Sequence, residues 1–366
     1  MDWNALIRPQ VGPMVPYAPG LRASEVRAKS GKEVIRKLSS NENPYGPFPS
    51  AIEGMRAVLP FLNRYPDGAE RELKRRLAEK LGVEERHLVV GNGSNELLTL
   101  IAQTVLGAGD EVVFAWPSFV VYPMCAQLTC ATAVKVPLTE AQVHDLPAML
   151  AAITDKTKLV FLCNPNNPTG TIYERGAFEQ FLAAVPEHVL VVVDEAYFEY
   201  ATSSAFPNGL DFFDGTRPIA ILRTFSKIYS LAGARIGYGI APEQLVEAID
   251  KVREPFNVSS VAQVGAYYSL ADDAEVERRR RENQEQKAYL YSCFDRLGIS
   301  YVPSETNFVY MGTEKPVEVF EALLAEGIIV RGFGAAPALR VGVGTPEDTN
   351  ATVAALEATV AKLGSI

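Results

Sequence analysis

Lys227 stands in the string Thr224-Phe-Ser-Lys227, and Arg235 follows in Leu231-Ala-Gly-Ala-Arg235-Ile-Gly237. A lysine in a hydroxyl-rich turn, with an arginine close behind it, suits an aldehyde cofactor that also carries a phosphate. Lys227 would form the Schiff base, while Thr224, Ser226 and Arg235 would hold the phosphate dianion. The alternative for so short a string is a surface lysine in a polar turn. Other segments have to decide.

Val189-Leu-Val-Val-Val-Asp194-Glu-Ala-Tyr197 reads as a buried parallel strand that ends in a carboxylate, because apolar β-branched runs are what a strand covered on both faces needs. Ligands of open α/β sheets bind beyond the carboxyl ends of the strands, which is where Asp194 falls. A buried carboxylate needs a cationic partner. The pyridinium nitrogen of pyridoxal phosphate would be one, and Asp194 would keep that ring protonated as an electron sink. Tyr197 would reach the ring's phenolic oxygen. The competing reading of Asp194 is a cap on the next helix.

Two further segments point to the same place. Phe161-Leu-Cys-Asn164-Pro-Asn-Asn167-Pro-Thr-Gly170 follows another apolar strand, and its prolines and glycine make it a rigid loop. Asn167 would donate to the phenolic oxygen. His87-Leu-Val-Val-Gly91-Asn-Gly93-Ser-Asn95-Glu96 reads as a strand, a glycine turn and a helix start, which is an anion site. Glu96 occupies the third glycine position of a dinucleotide fingerprint, so Ser94 and Asn95 are read as binding one phosphate, not a pyrophosphate. Phe119 would stack on the cofactor ring, although a lone aromatic is more often core.

With these strings in place, the chain resembles the fold-type I, pyridoxal-phosphate-dependent aminotransferases, and among them the histidinol-phosphate aminotransferase family. The similarity also takes in Ser40-Asn-Glu-Asn-Pro-Tyr-Gly-Pro47, Asn63-Arg-Tyr-Pro-Asp67 and Arg340-Val-Gly-Val-Gly-Thr345. The resemblance implies that Lys227 carries the cofactor, Asp194 pairs its ring nitrogen, and Asn167 and Tyr197 contact its phenolic oxygen. It implies phosphate contacts from Ser94, Asn95, Thr224, Ser226 and Arg235, and from Tyr65 of the neighbouring subunit of a homodimer. Substrate anchoring falls to Tyr17, Arg331 and Arg340. One departure concerns the link from Arg331 to Arg340, Gly-Phe-Gly-Ala-Ala-Pro-Ala-Leu, which is short and apolar where relatives often carry a longer polar loop.

The reaction so implied is transfer of the amino group of histidinol phosphate to 2-oxoglutarate, in histidine biosynthesis. Lys227 would serve first as the imine and then as the proton carrier. An aromatic amino acid aminotransferase is the runner-up, a Cβ–S lyase or decarboxylase stands behind it, and a pyridoxal-phosphate-binding regulator is the non-enzymatic alternative. Such regulators carry a DNA-binding extension that has no counterpart in this sequence.

A length of 366 residues exceeds what one core fills, and 48% hydrophobic residues suffice for a large interior. The net charge of -9 argues against nucleic acid and anionic membrane partners. The start, Met1-Asp-Trp-Asn-Ala-Leu-Ile-Arg-Pro, lacks the apolar core of a signal peptide, and no stretch is apolar enough to span a membrane. Cys125, Cys130, Cys163 and Cys293 form no close pair and only three histidines exist, so the expectation is reduced thiols, a cytoplasmic location and no metal site.

From about Pro49 to Val258, apolar strands alternate with helical segments, the pattern of a parallel sheet between helices. The expected architecture is α/β, with a large domain (49–258) built on a mostly parallel seven-stranded sheet. A smaller α/β domain combines the N-terminal arm (1–48) with residues 259–366. In the latter, one long helix is expected from Ser259 to Gly298, strands at Phe308–Met311, Ile328–Arg331 and Ala338–Val343, and a helix capped at Thr345. The charged run Glu275 to Glu282 is expected on the solvated face of the long helix, with a basic patch as its alternative.

Overall fold

The apolar runs that end at Cys163, Asp194 and Thr224 lie side by side as central strands of one sheet. The structure is a computed structural model and describes residues 3–17, 20–334 and 336–366. In chain order its strands are β1 (Arg36–Lys37), β2 (Leu88–Gly91), β3 (Glu111–Trp116), β4 (Thr132–Pro137), β5 (Thr157–Cys163), β6 (Leu190–Asp194), β7 (Ile219–Thr224), β8 (Gly237–Ile240), β9 (Tyr301–Val302), β10 (Phe308–Gly312), β11 (Ile328–Ile329), β12 (Arg331–Gly332) and β13 (Ala338–Gly342).

Strands β2 to β8 make a seven-stranded sheet in the order β2-β8-β7-β6-β5-β3-β4. Only β8 is reversed relative to its neighbours, so the sheet is mostly parallel. Alternate residues of one strand enter different cores: Val191 and Val193 of β6 go to one, Leu190 and Val192 to the other. Strands β5 and β7 divide in the same way, with Val160, Leu162, Ile219 and Ile221 on one side and Leu159, Phe161, Ala220 and Leu222 on the other. The continuous apolar runs therefore mean burial on both faces. The helix Arg175–Ala184 covers one face with Phe178 and Phe181. The helix Ser94–Val105 covers the opposite face with Leu97, Leu98 and Ile101.

A second, antiparallel sheet has the order β12-β13-β10-β9, and β1 pairs in parallel with β11. Leu38 joins Phe294, Val309, Leu323, Val341 and Leu356 in a third core. The closing helix Pro346–Leu363 begins with a capping box in which Thr345 and Asp348 satisfy each other's backbone N–H groups.

Three expectations need correction. The long helix is two helices, Ser260–Ser269 and Asp273–Leu297, because the side chain of Asp272 accepts from the N–H of Glu275 and starts a new one. The strand expected at Ile328–Arg331 is split into β11 and β12, which pair with different partners. The charged run is not wholly solvated. Arg279 is buried, lies 4.4 Å from the Phe48 ring, and donates to the carbonyls of Gly46 and Ile228 at 2.8 and 3.1 Å.

Candidate active site

Asp194 is the last residue of β6 and is 2% exposed. Its Oδ2 accepts from the hydroxyl of Tyr122 at 2.9 Å, while Oδ1 has no partner. Tyr122 is held by stacking on Phe161 of β5, with centroids 4.6 Å apart. Burial raises the Asp194 carboxyl to about 6, against the lowering effect of the Tyr122 hydroxyl and the nearby Lys227 charge. An ionised carboxylate with one bare oxygen in an apolar setting calls for a cationic donor. The cap reading of Asp194 fails, since no helix begins there with its side chain as cap.

Lys227 sits in the turn after β7, where its Nζ donates to the Asn41 carbonyl at 3.3 Å and lies 5.4 Å from the centroid of the Tyr197 ring. Burial, and next the Arg340 charge, lower the amine to about 8. Tyr197 is buried and stands edge-on to Phe308. Its hydroxyl oxygen accepts from Asn41 Nδ2 at 2.8 Å.

The residues expected to hold the phosphate come from three chain segments. Arg235 has φ 60° and donates from Nη1 to Ser226 Oγ at 3.3 Å and from Nη2 to the Asn92 carbonyl at 3.4 Å. Thr224 Oγ1 accepts from the N–H of Ser226 at 3.1 Å. Ser94 and Asn95 open the helix Ser94–Val105, whose first N–H groups have no intrahelical partner. Gly237 faces this turn in β8, and a Cβ there would collide with the Ser94 nitrogen. Gly93 adopts φ 86°, and a Cβ on it would strike the Arg235 guanidinium. Glu96 closes the turn by accepting from the Asn92 N–H at 2.6 Å and from Asn257 Nδ2 at 2.7 Å. It is a cap where a dinucleotide fingerprint has glycine.

Arg331 and Arg340 are direct cross-strand partners on β12 and β13. Like charges so placed repel unless an anion lies between them. Arg340 is buried, donates to the Ser39 carbonyl at 2.7 Å and to Asn167 Oδ1 at 2.5 Å, and leaves Nε without a partner. Tyr17 lies beneath Arg331, the guanidinium 5.6 Å from its ring centroid. Phe119 is half-buried and meets Tyr122 edge-on at 5.8 Å. Tyr65 stands apart from this constellation: it is 82% exposed and stacked on Phe256 at 4.7 Å.

Residues 33–356 match the family model described as aminotransferase class I and II. The chain belongs to that family. This aminotransferase is 46% identical over 346 residues to the histidinol-phosphate aminotransferase of Moorella thermoacetica, covering 93% of this chain and 89% of that protein. It is 44% identical over 363 residues to histidinol-phosphate aminotransferase 2 of Pseudomonas aeruginosa, covering 97% and 98%. Among solved structures, histidinol-phosphate aminotransferase from Sinorhizobium meliloti in complex with pyridoxal-5′-phosphate is similar with a TM-score of 0.90 at 28% identity, covering 98% of both chains.

Two residues of the candidate site escaped sequence reasoning. Tyr122 carries no motif of its own and is found only because it stacks on β5 beside Asp194. Asn41 lies inside a quoted motif, but nothing in the string says that its amide reaches Tyr197 across 156 positions of chain.

Proposed function

We propose that this aminotransferase moves the amino group of histidinol phosphate to 2-oxoglutarate, giving imidazole acetol phosphate and glutamate in histidine biosynthesis. The observation that carries the reading is the placement of Lys227, whose amine feels the charges of both Arg340 and Asp194. Its Nζ donates to the Asn41 carbonyl at 3.3 Å and lies 5.4 Å from the centroid of the Tyr197 ring.

Pyridoxal phosphate fits the residues present. Asp194 Oδ1 would take its ring nitrogen, Asn167 and Tyr197 its phenolic oxygen, and Phe119 its ring face. Ser94, Asn95, Thr224, Ser226 and Arg235 would hold its phosphate. When bound, pyridoxal phosphate supplies an aldehyde that condenses with amines and a ring that takes up the electron pair of a broken Cα–H bond.

The chain's own groups do the rest. Asp194 keeps a proton on the ring nitrogen. Lys227 Nζ takes the proton from the amine-bearing carbon of the donor, and an amine lowered to about 8 is a usable base near neutral pH. Arg331 and Arg340 grip the phosphate of histidinol phosphate and then a carboxylate of 2-oxoglutarate, with Tyr17 packed under Arg331. The two substrates carry different anions, so one arginine pair serves both.

The same reading includes a homodimer with shared sites. Tyr65 stands with Leu59, Phe61, Leu62 and Phe256 among the exposed large apolar residues, and such groups mark association surfaces. Tyr65 would reach the cofactor phosphate of the neighbouring subunit. Residues 1–48 and 259–366 would form the small domain and 49–258 the large one. Free thiols at all four cysteines accord with a cytoplasmic enzyme. Among the described residues no helix is long and apolar enough to cross a membrane.

Steady-state kinetics with 2-oxoglutarate as acceptor test the substrate. The kcat/KM for histidinol phosphate should exceed that for phenylalanine. A wide margin the other way would make this an aromatic amino acid aminotransferase.

A further inference from the structure

Asn41 is 3% exposed and stands in the stretch that runs from β1 toward the helix Pro49–Val58. It adopts φ 55°, a left-handed conformation that asparagine tolerates better than most residues. Three hydrogen bonds and one open acceptor define its surroundings. Its Nδ2 donates to the Tyr197 hydroxyl at 2.8 Å. Its carbonyl accepts from Lys227 Nζ at 3.3 Å and from Asn307 Nδ2 at 3.1 Å. Its Oδ1 is buried without a partner.

 Two donors thus take the two lone pairs of one carbonyl.

A tyrosine hydroxyl has one hydrogen and two lone pairs. With one lone pair of Tyr197 taken by the Asn41 amide, its hydrogen is left to point elsewhere, and among the described residues it has no protein acceptor. We propose that Asn41 is a positioning residue that fixes the direction of the Tyr197 hydroxyl and the resting place of Lys227 Nζ together, so that Tyr197 offers its proton to an oxyanion in the cleft. This rests on the reading of Lys227 and Tyr197 as cofactor contacts. The charged groups that face Lys227 are Arg340, Glu42, Arg235 and Asp194, and none of them is altered in the test.

The test uses the holoenzyme and reads the pH midpoint of the absorbance of its lysine-linked cofactor. Asn41→Gly removes the amide but keeps the carbonyl and suits the left-handed backbone. The midpoint should rise by about half a unit or more, the scale of one net hydrogen bond. The same substitution in a Tyr197→Phe background should leave it nearly unmoved, because the effect runs through the hydroxyl. Asn41→Asp keeps the shape but can only accept, so Tyr197 must turn toward it, and the midpoint should rise further. This variant carries the comparison if Asn41→Gly does not fold. Borohydride trapping identifies the tagged lysine in the unaltered enzyme. If Lys227 is not tagged, the function reading falls and this inference with it. If Lys227 is tagged but Asn41→Gly shifts the midpoint equally with and without the Tyr197 hydroxyl, or not at all, the inference alone is overturned.

Discussion

Arg340 Nη1 donates to Asn167 Oδ1 at 2.5 Å, which ties β13 to the loop that follows β5. In the proposed reading one hydrogen bond thus joins a substrate-binding group to a cofactor-binding group. Substrate binding at Arg340 would be felt at Asn167.

Replacing Arg340 by lysine keeps the charge and loses the fork that reaches Asn167 and Ser39 together. The expected loss in kcat/KM is roughly ten- to hundredfold, for histidinol phosphate and for 2-oxoglutarate alike. Half-reactions measured separately check this. A loss confined to one of them would mean that the arginine does not serve both substrates.

Lys227 in the cofactor-free protein should react with an amine-directed reagent with a midpoint near the value of about 8 to which burial and Arg340 lower it. The neutral amine is then present above that pH and scarce below it. Arg340→Ala removes the second cause and should move the midpoint upward. Lys227→Ala should still bind pyridoxal phosphate and lose at least about a hundredfold in turnover. A smaller loss would remove Lys227 from proton transfer.

Asp194→Asn separates catalysis from stability. The native carboxyl is raised from 3.8 to about 6 by burial, so the folded cofactor-free chain binds the proton more tightly than the unfolded chain. Its stability therefore falls as pH rises between those values, by an amount on the order of 3 kcal/mol at most. Glu199, raised to about 7, acts in the same direction, which is why variant and parent must be compared at each pH. At pH 8 the cofactor-free variant should be no less stable than the parent, while its turnover collapses. Thermal unfolding and kinetics on the same preparations check both halves.

Much of this arrangement is legible in the chain itself. Val189 to Val193 announces a strand with two covered faces, and Asp194 at its end announces a site. The glycines at 91 and 93 place a turn at a helix start. What is not legible depends on distant partners. The pairing of Arg36–Lys37 with Ile328–Ile329 has almost no local signal, because two residues are too few to carry a period. Asp272 breaks the long helix where apolar spacing continues on both sides of it. Arg279 sits in a charged run that looks solvated, and only the carbonyls of Gly46 and Ile228 reveal that it is buried.

Tyr65 tests the shared site. Lys227→Ala and Tyr65→Ala homodimers should each be impaired, and a mixed dimer should hold one site with both lesions and one with neither. Activity after subunit exchange is then expected to exceed the sum of the parents. With heterodimers demonstrated and Tyr65→Ala shown to be impaired alone, absence of recovery would place Tyr65 in its own subunit's site.

The central claim is tested most directly by titrating the pyridoxal phosphate form, without any keto acid, against histidinol phosphate, phenylalanine and glutamate, and following the cofactor absorbance. Histidinol phosphate is expected to convert the cofactor to its amine form at lower concentration than phenylalanine, with glutamate also converting it as the shared partner. Full conversion by phenylalanine with none by histidinol phosphate would contradict the account.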